Sequence, residues 1–207
     1  MSFRFELKSF GSNVACKNFI EKLLKGGMKQ LYPPRYITSE YFDTANYDCV
    51  KESQEGTVPR RKLRIRYYTE NHNLLDPKKN TPLSLETKIS SPEGRYKTIK
   101  KVSYSDYIKY KDRGTIVSPY GKLTFALRVN YLRHYYLIDG IRLTFDSKIT
   151  RLKLRENSGG YKLNSQISKY SVVELKSNVS DANLINSSLA GLRLQRFSKY
   201  ADSFDKL

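Results

Sequence analysis

Residues 62–67 read Lys-Leu-Arg-Ile-Arg-Tyr, and in a strand side chains two apart share a face. That spacing puts Lys62, Arg64 and Arg66 on one side and Leu63, Ile65 and Tyr67 on the other. The same division recurs: Glu86 and Lys88 oppose Leu85 and Ile89; Arg142, Thr144 and Asp146 oppose Ile141, Leu143 and Phe145; Glu174 and Lys176 oppose Val173 and Leu175; Arg4, Glu6 and Lys8 oppose Phe3, Phe5 and Leu7. With Arg133 and Lys199 added, the cations of this charged face outnumber its carboxylates, Glu6, Glu86, Asp146 and Glu174. A half-buried antiparallel sheet with a solvated polar face produces the same alternation. A solvent face, however, mixes in Ser, Thr, Gln and balanced pairs, and like charges at neighbouring cross-strand positions repel. A cationic surplus gathered on one surface therefore calls for an anionic ligand. Closure of the strands into a barrel with this face inward would strengthen each Arg–anion contact, because low-dielectric walls screen charge less than water does.

The few carboxylates can then hold a cation. Mg²⁺ or Mn²⁺ takes oxygen ligands and is often bound by one or two carboxylates together with substrate oxygens and water. Glu174, beside Lys176, is the first candidate ligand, followed by Glu86 and Glu6; each has an alternative as the ion-pair partner of a neighbouring Lys or Arg. Other chemistries have little material. His72 and His134 are the only imidazoles, little material for a His-rich metal site or a Ser-His-Asp triad. Cys16 and Cys49, one expected in a helix and one in a loop, imply neither a disulfide framework nor a zinc knuckle.

These residues need a scaffold of strands. The 207 residues suit a single domain, 1–207, and the formal net charge of +18 with pI near 9.8 points to a polyanionic partner. Strands are expected over 3–10, 37–43, 62–68, 83–89, 125–136, 141–146 and 171–177, with weaker ones over 96–102 and 149–154. A helix is expected from a Ser12 or Asn13 cap to a Gly26-Gly27 stop, another over 104–111 and a last one from Ser180 to near Leu194. Tyr32-Pro33-Pro34 forces an extended connection, and residues 71–82 read as a loop. The fold class is α+β: an antiparallel β-barrel with a few flanking helices.

In order, Arg4-Phe5-Glu6-Leu7-Lys8, Tyr41-Phe42-Asp43-Thr44, Lys62-Leu63-Arg64-Ile65-Arg66, Leu85-Glu86-Thr87-Lys88, Tyr131-Leu132-Arg133, Arg142-Leu143-Thr144-Phe145-Asp146, Val173-Glu174-Leu175-Lys176 and Phe197-Ser198-Lys199-Tyr200 resemble the VTC domain of the triphosphate tunnel metalloenzyme superfamily. The resemblance implies a tunnel barrel and a polymerase that moves the γ-phosphoryl group of ATP onto inorganic polyphosphate with Mn²⁺ or Mg²⁺. It implies that Lys8, Arg64, Arg66, Lys88, Arg133, Arg142 and Lys199 are the catalytic basic residues, that Tyr131 and Ser198 make further phosphate contacts and that Glu174 binds the metal. Lys62 and Lys176, on the same charged face, join the substrate-binding set. The hydrolytic CYTH branch is less similar: its opening strand carries Glu at two alternating positions, where this chain has Arg4 and Glu6.

A tunnel hydrolase of triphosphate or nucleoside triphosphate is the second reading, since water in place of a phosphate acceptor changes the product. A polyphosphate-binding subunit without activity is a third. Nucleic-acid binding through the many Tyr and Phe ranks below these, because most aromatics fall in strands. Neither an apolar leader nor a stretch of about 20 apolar residues is found, so a cytoplasmic location is expected. The basic surface, including residues 107–111, admits a membrane-protein partner or peripheral contact with an inner membrane face, although a solvated helix face is the simpler account of that stretch.

Overall fold

The computed structural model describes residues 5–72, 76–157, 160–177 and 197–205, with side chains placed except at residues 5 and 154–165. Ten strands form the bulk of it: β1 (Phe5–Ser12), β2 (Lys29–Asp43), β3 (Arg60–Thr69), β4 (Leu83–Ser91), β5 (Gly94–Val102), β6 (Thr115–Val117), β7 (Gly121–Ile138), β8 (Ile141–Asn157), β9 (Gly160–Ile167) and β10 (Tyr170–Ser177). Four helices accompany them, α1 (Asn13–Lys25), α2 (Asp48–Glu55), α3 (Tyr104–Arg113) and α4 (Lys199–Asp205). The hydrogen-bonded order is β1-β10-β8-β7-β2-β3-β4-β5, with β6 on β7 and β9 on β8.

The α+β, antiparallel expectation holds, but the expected closed barrel is open in its strand pairing: β1 and β5 are the ends of the path among the described residues. Arg95, Lys97, Lys100 and Lys101 leave β5 densely cationic and exposed, and like charges at a sheet edge oppose the addition of another strand. The two segments expected over 141–146 and 149–154 are one strand, β8. The helix expected from Ser180 lies outside the described residues, as do Phe3 and Arg4.

The chain divides into two compact units, each discontinuous in sequence. The first comprises Met1–Tyr36, Tyr131–Ile149 and Ile167–Phe197, and the second Ile37–Asn130, Thr150–Gln166 and Ser198–Leu207. In the first, α1 begins where the Ser12 side chain accepts a hydrogen bond from the Ala15 amide at 3.2 Å and ends at Gly26, with Gly27 at φ 99°. Its Cys16, Phe19 and Ile20, at i, i+3 and i+4, pack on Leu143, Phe145, Val173 and Leu175. That is the apolar side of β8 and β10, so the charged side is left facing away from α1. Each such large side chain contributes about 1.5–3 kcal/mol through burial.

In the second unit, Leu63, Ile65 and Tyr67 of β3 join Phe42, Cys49, Leu83, Tyr107 and Leu123 in a core under α2 and α3. Ser103 caps α3 by accepting from the Asp106 amide at 3.1 Å. Cys49 sits in α2 rather than in the expected loop, where burial and the nearby Asp43 carboxylate push its thiol pKa up. Within the basic stretch 107–111, Tyr107 is buried and Ile108 packs on the core. Lys109 pairs with Asp106 and Lys111 with Asp76. No helix among the described residues is long and apolar enough to cross a membrane.

Candidate functional site

The strand registers carry the charged face from sequence into space. In the first unit, Lys8 stands opposite Glu174 and Glu174 opposite Thr144, while Glu6 stands opposite Lys176 and Lys176 opposite Arg142. Two rows of side chains therefore cross β1, β10 and β8 on the face opposite α1. Lys8 is paired to Glu6 at 2.6 Å and Lys176 to Glu174 at 2.8 Å. Arg133 of β7 bonds Asp146 through both Nε and Nη2, at 2.6 and 2.7 Å, and its Nη2 lies 3.9 Å from Glu174. Its guanidinium carbon sits 5.3 Å from the Tyr131 ring centroid. Burial would lower the Arg133 pKa, but the Asp146 carboxylate raises it well above the usual arginine value, so the guanidinium stays charged. Of the residues expected here, Glu6, Lys8, Tyr131, Arg133, Arg142, Glu174 and Lys176 all fall in this unit.

The remaining residues, Lys62, Arg64, Arg66, Glu86, Lys88, Ser198 and Lys199, fall in the second unit. There Lys62, Lys88 and Lys97 form one row across β3, β4 and β5, next to a row holding Arg64 and Glu86. Glu86 Oε2 accepts from Arg64 Nε at 2.9 Å and Nη2 at 2.6 Å, and Oε1 accepts from Lys97 at 2.9 Å with Arg66 Nη1 3.6 Å away. Lys62 Nζ donates to Ser198 Oγ at 2.8 Å, which brings the segment before α4 onto the same face. Arg64 Nη1 donates to Tyr41 Oη at 3.2 Å, and the Tyr41 ring stacks on Tyr200 with centroids 4.6 Å apart and planes 10° from parallel. The Tyr200 hydroxyl donates to Asp43 Oδ2. Asp43 also accepts from the Thr44, Cys49 and Val50 amides, at 2.8 to 3.0 Å. A chain of contacts thus runs from the N-terminus of α2 through Asp43, Tyr200 and Tyr41 to Arg64.

Burial alone would raise the Glu86 pKa, but the charges of Arg64 and Arg66 outweigh it and hold the carboxyl at about 2. A carboxyl depressed in the folded state adds stability above its unfolded pKa and loses it as pH falls through the folded value. Glu86 is accordingly expected to add about 3 kcal/mol near neutral pH, lost between about pH 4.5 and pH 2. Urea unfolding checks this: the gap between wild type and Glu86→Gln should narrow by roughly 2 kcal/mol from pH 6 to pH 3. A gap independent of pH would show that the arginines do not hold Glu86 ionised.

The carboxylates differ in their fitness for a metal. Glu86 is already surrounded by three cationic side chains, an environment that favours an anion over a further cation. Glu6 is ion-paired with Lys8. Glu174 also pairs with Lys176 at 2.8 Å; what makes it the better fit is that it is buried and that opposite it in register stands Thr144, whose buried Oγ1 has no hydrogen-bond partner among the described residues. A carboxylate beside an unsatisfied hydroxyl oxygen is an oxygen donor set suited to Mg²⁺ or Mn²⁺ bound mainly by substrate oxygens and water. No group of three His, Cys, Asp or Glu side chains able to hold a metal without substrate occurs among the described residues.

The sequence placed Asp146 on the charged face without naming Arg133 as its partner, and gave Lys97, Tyr41, Asp43 and Tyr200 no individual role. The motif 41–44 was legible as a resemblance, but the contacts that give it a task cross up to 157 residues of chain.

The fold is that of the triphosphate tunnel proteins. It is shared by a candidate adenylate cyclase of Bacillus halodurans, with TM-score 0.60 and 14% identity over 98% of both chains. A candidate adenylate cyclase of Vibrio parahaemolyticus gives TM-score 0.51 and 11% identity over 99% of this chain and 98% of that one. A chain of the Schizosaccharomyces pombe Mediator head module gives TM-score 0.54 and 12% identity over 92% and 96%. Residues 28–207 match the VTC domain, and the chain belongs to that family. No curated protein matches it.

Proposed function

We propose that the protein is a polyphosphate polymerase that transfers the γ-phosphoryl group of ATP to inorganic polyphosphate. The observation that carries this reading is the set Lys62, Arg64, Arg66, Lys88 and Lys97, five cations on one face of β3, β4 and β5, of which Arg64, Arg66 and Lys97 converge on the carboxylate Glu86. Such a face is suited to a ligand bearing several negative charges in a row. Phosphoryl transfer asks a protein chiefly for positioning and charge stabilisation. A terminal polyphosphate oxygen attacks the γ-phosphorus, the bond to the bridging oxygen breaks, and ADP leaves. The attacking oxygen is already ionised, so no strong general base is needed. Arg64, Arg66 and Arg133 supply forked donors for phosphate oxygens, while Lys8, Lys88, Arg142 and Lys199 add charge. Tyr131, Lys176 and Ser198 add substrate contacts, and Lys62 holds Ser198 in place. A divalent metal bound by Glu174 and phosphate oxygens would draw charge from the breaking bond. The partners of this reading are ATP and polyphosphate; a membrane-protein partner, peripheral membrane contact and a cytoplasmic location extend it.

Purified protein given ATP with Mn²⁺ or Mg²⁺ should make acid-stable long chains visible on a stained gel, and Arg64→Ala should lower the yield by at least about 100-fold. Phosphate release without chains would replace the polymerase by a tunnel hydrolase.

A further inference from the structure

Beyond Arg133, β7 carries an aromatic surface that phosphate binding does not use. Tyr135 lies two residues on and so shares the Arg133 face. Its neighbours turn the other way: the His134 ring lies 5.7 Å from Phe145 and Tyr136 joins the core under α1. Tyr32 of β2 meets Tyr135 edge to face, with centroids 5.8 Å apart and planes at 80°. The Arg35 guanidinium carbon lies 6.0 Å from the Tyr135 ring centroid. Tyr32 remains 49% exposed, so its ring is open to a ligand from solvent. Pro33 and Pro34, next to Tyr32, stiffen the strand that presents it. Two rings and a guanidinium held together, with Tyr32 and Arg35 exposed and Tyr135 half-buried, are suited to a flat π-system with a polar rim, such as a nucleobase.

We infer that Tyr32, Tyr135 and Arg35 bind the purine base of the nucleoside triphosphate donor. The inference rests on reading the Arg133 face as a phosphate site and adds what separates the donor from a bare phosphate chain. Residues two apart on a strand are separated by about 6.5–7 Å, so the platform begins one side-chain repeat beyond Arg133. That is the neighbourhood a base reaches through its ribose while the phosphates remain on the arginine. The polyphosphate acceptor has no base and gains nothing from the rings, so the platform distinguishes the two substrates.

Titration calorimetry of the full chain with ATP and, separately, inorganic tripolyphosphate tests this. Tyr135→Ala is expected to weaken ATP binding about ten-fold, in line with the loss of one base–aromatic stack, and to leave tripolyphosphate affinity unchanged. Tyr32→Ala should act in the same direction, whereas Tyr135→Phe should retain wild-type affinity for both. Unchanged ATP binding in Tyr135→Ala would overturn the base site, and so would an equal loss for both ligands, which would mean that the ring supports the phosphate face or the fold. Wild-type protein that binds neither compound would overturn the phosphate reading itself, and the base site with it.

Discussion

Substitution of Arg133 by Ala is expected to abolish detectable turnover and to lower the unfolding free energy by about 3–5 kcal/mol. Two losses coincide at this residue. The guanidinium holds both oxygens of Asp146, a carboxylate that is 1% exposed. Its removal leaves a buried anion without its main partner, and the charged face loses its fork for phosphate. Arg133→Lys separates the two roles. A lysine keeps a charge near Asp146 but cannot make the paired contact, so it should recover much of the stability and little of the turnover. Urea unfolding and ATP turnover on the same preparations give both quantities. Turnover of Arg133→Lys at the wild-type level would remove the guanidinium from the list of phosphate contacts.

Glu174→Gln should lower kcat by at least about 100-fold, the scale expected when a metal that stabilises several kcal/mol of developing charge is lost. The amide keeps the size of the side chain and an acceptor for Lys176, which lies 2.8 Å from Glu174, but it gives up the negative charge that a divalent cation needs. Tripolyphosphate binding in EDTA should be retained or tightened, because the substitution removes an anion from a cationic face. Titrating turnover with Mn²⁺ and measuring metal-free tripolyphosphate binding distinguishes the cases. An equal loss in EDTA would assign Glu174 to positioning Arg133 and Lys176 instead.

Much of this architecture is written in local alternation. Lys62-Leu63-Arg64-Ile65-Arg66-Tyr67 splits between the charged face and the core as period two requires, and Ser12 with Gly26-Gly27 marks both ends of α1. What stayed hidden depends on distant residues. α2 is short and polar, and its start is secured by Asp43, five residues before its first turn. Glu40 and Arg128 are buried together, with Nη2 2.6 Å from Oε1 and the Tyr67 and Tyr107 hydroxyls donating to the same oxygen. Each polar residue read alone suggests solvent, and the pairing spans 88 residues. The cations of the charged face were legible because strand alternation is local. The carboxylates of that face were legible for the same reason, but their pairing was not, since which Asp or Glu meets which Arg is decided by strand register and long-range approach.

The contact of Asp43 with Tyr200 joins a residue made early to one made 157 residues later. A chain emerging from the ribosome can form the hairpin of β3 and β4 from residues 60–91 alone, and with it the pairing of Arg64 and Glu86. Ser198 and Tyr200 are still unmade at that stage, so Lys62 has no Ser198 to hold and the ring of Tyr41 has no Tyr200 against it. A nascent chain of this protein is therefore a set of basic strands well before it is a finished site, and loop-closure entropy over more than a hundred residues falls on the last contacts to form.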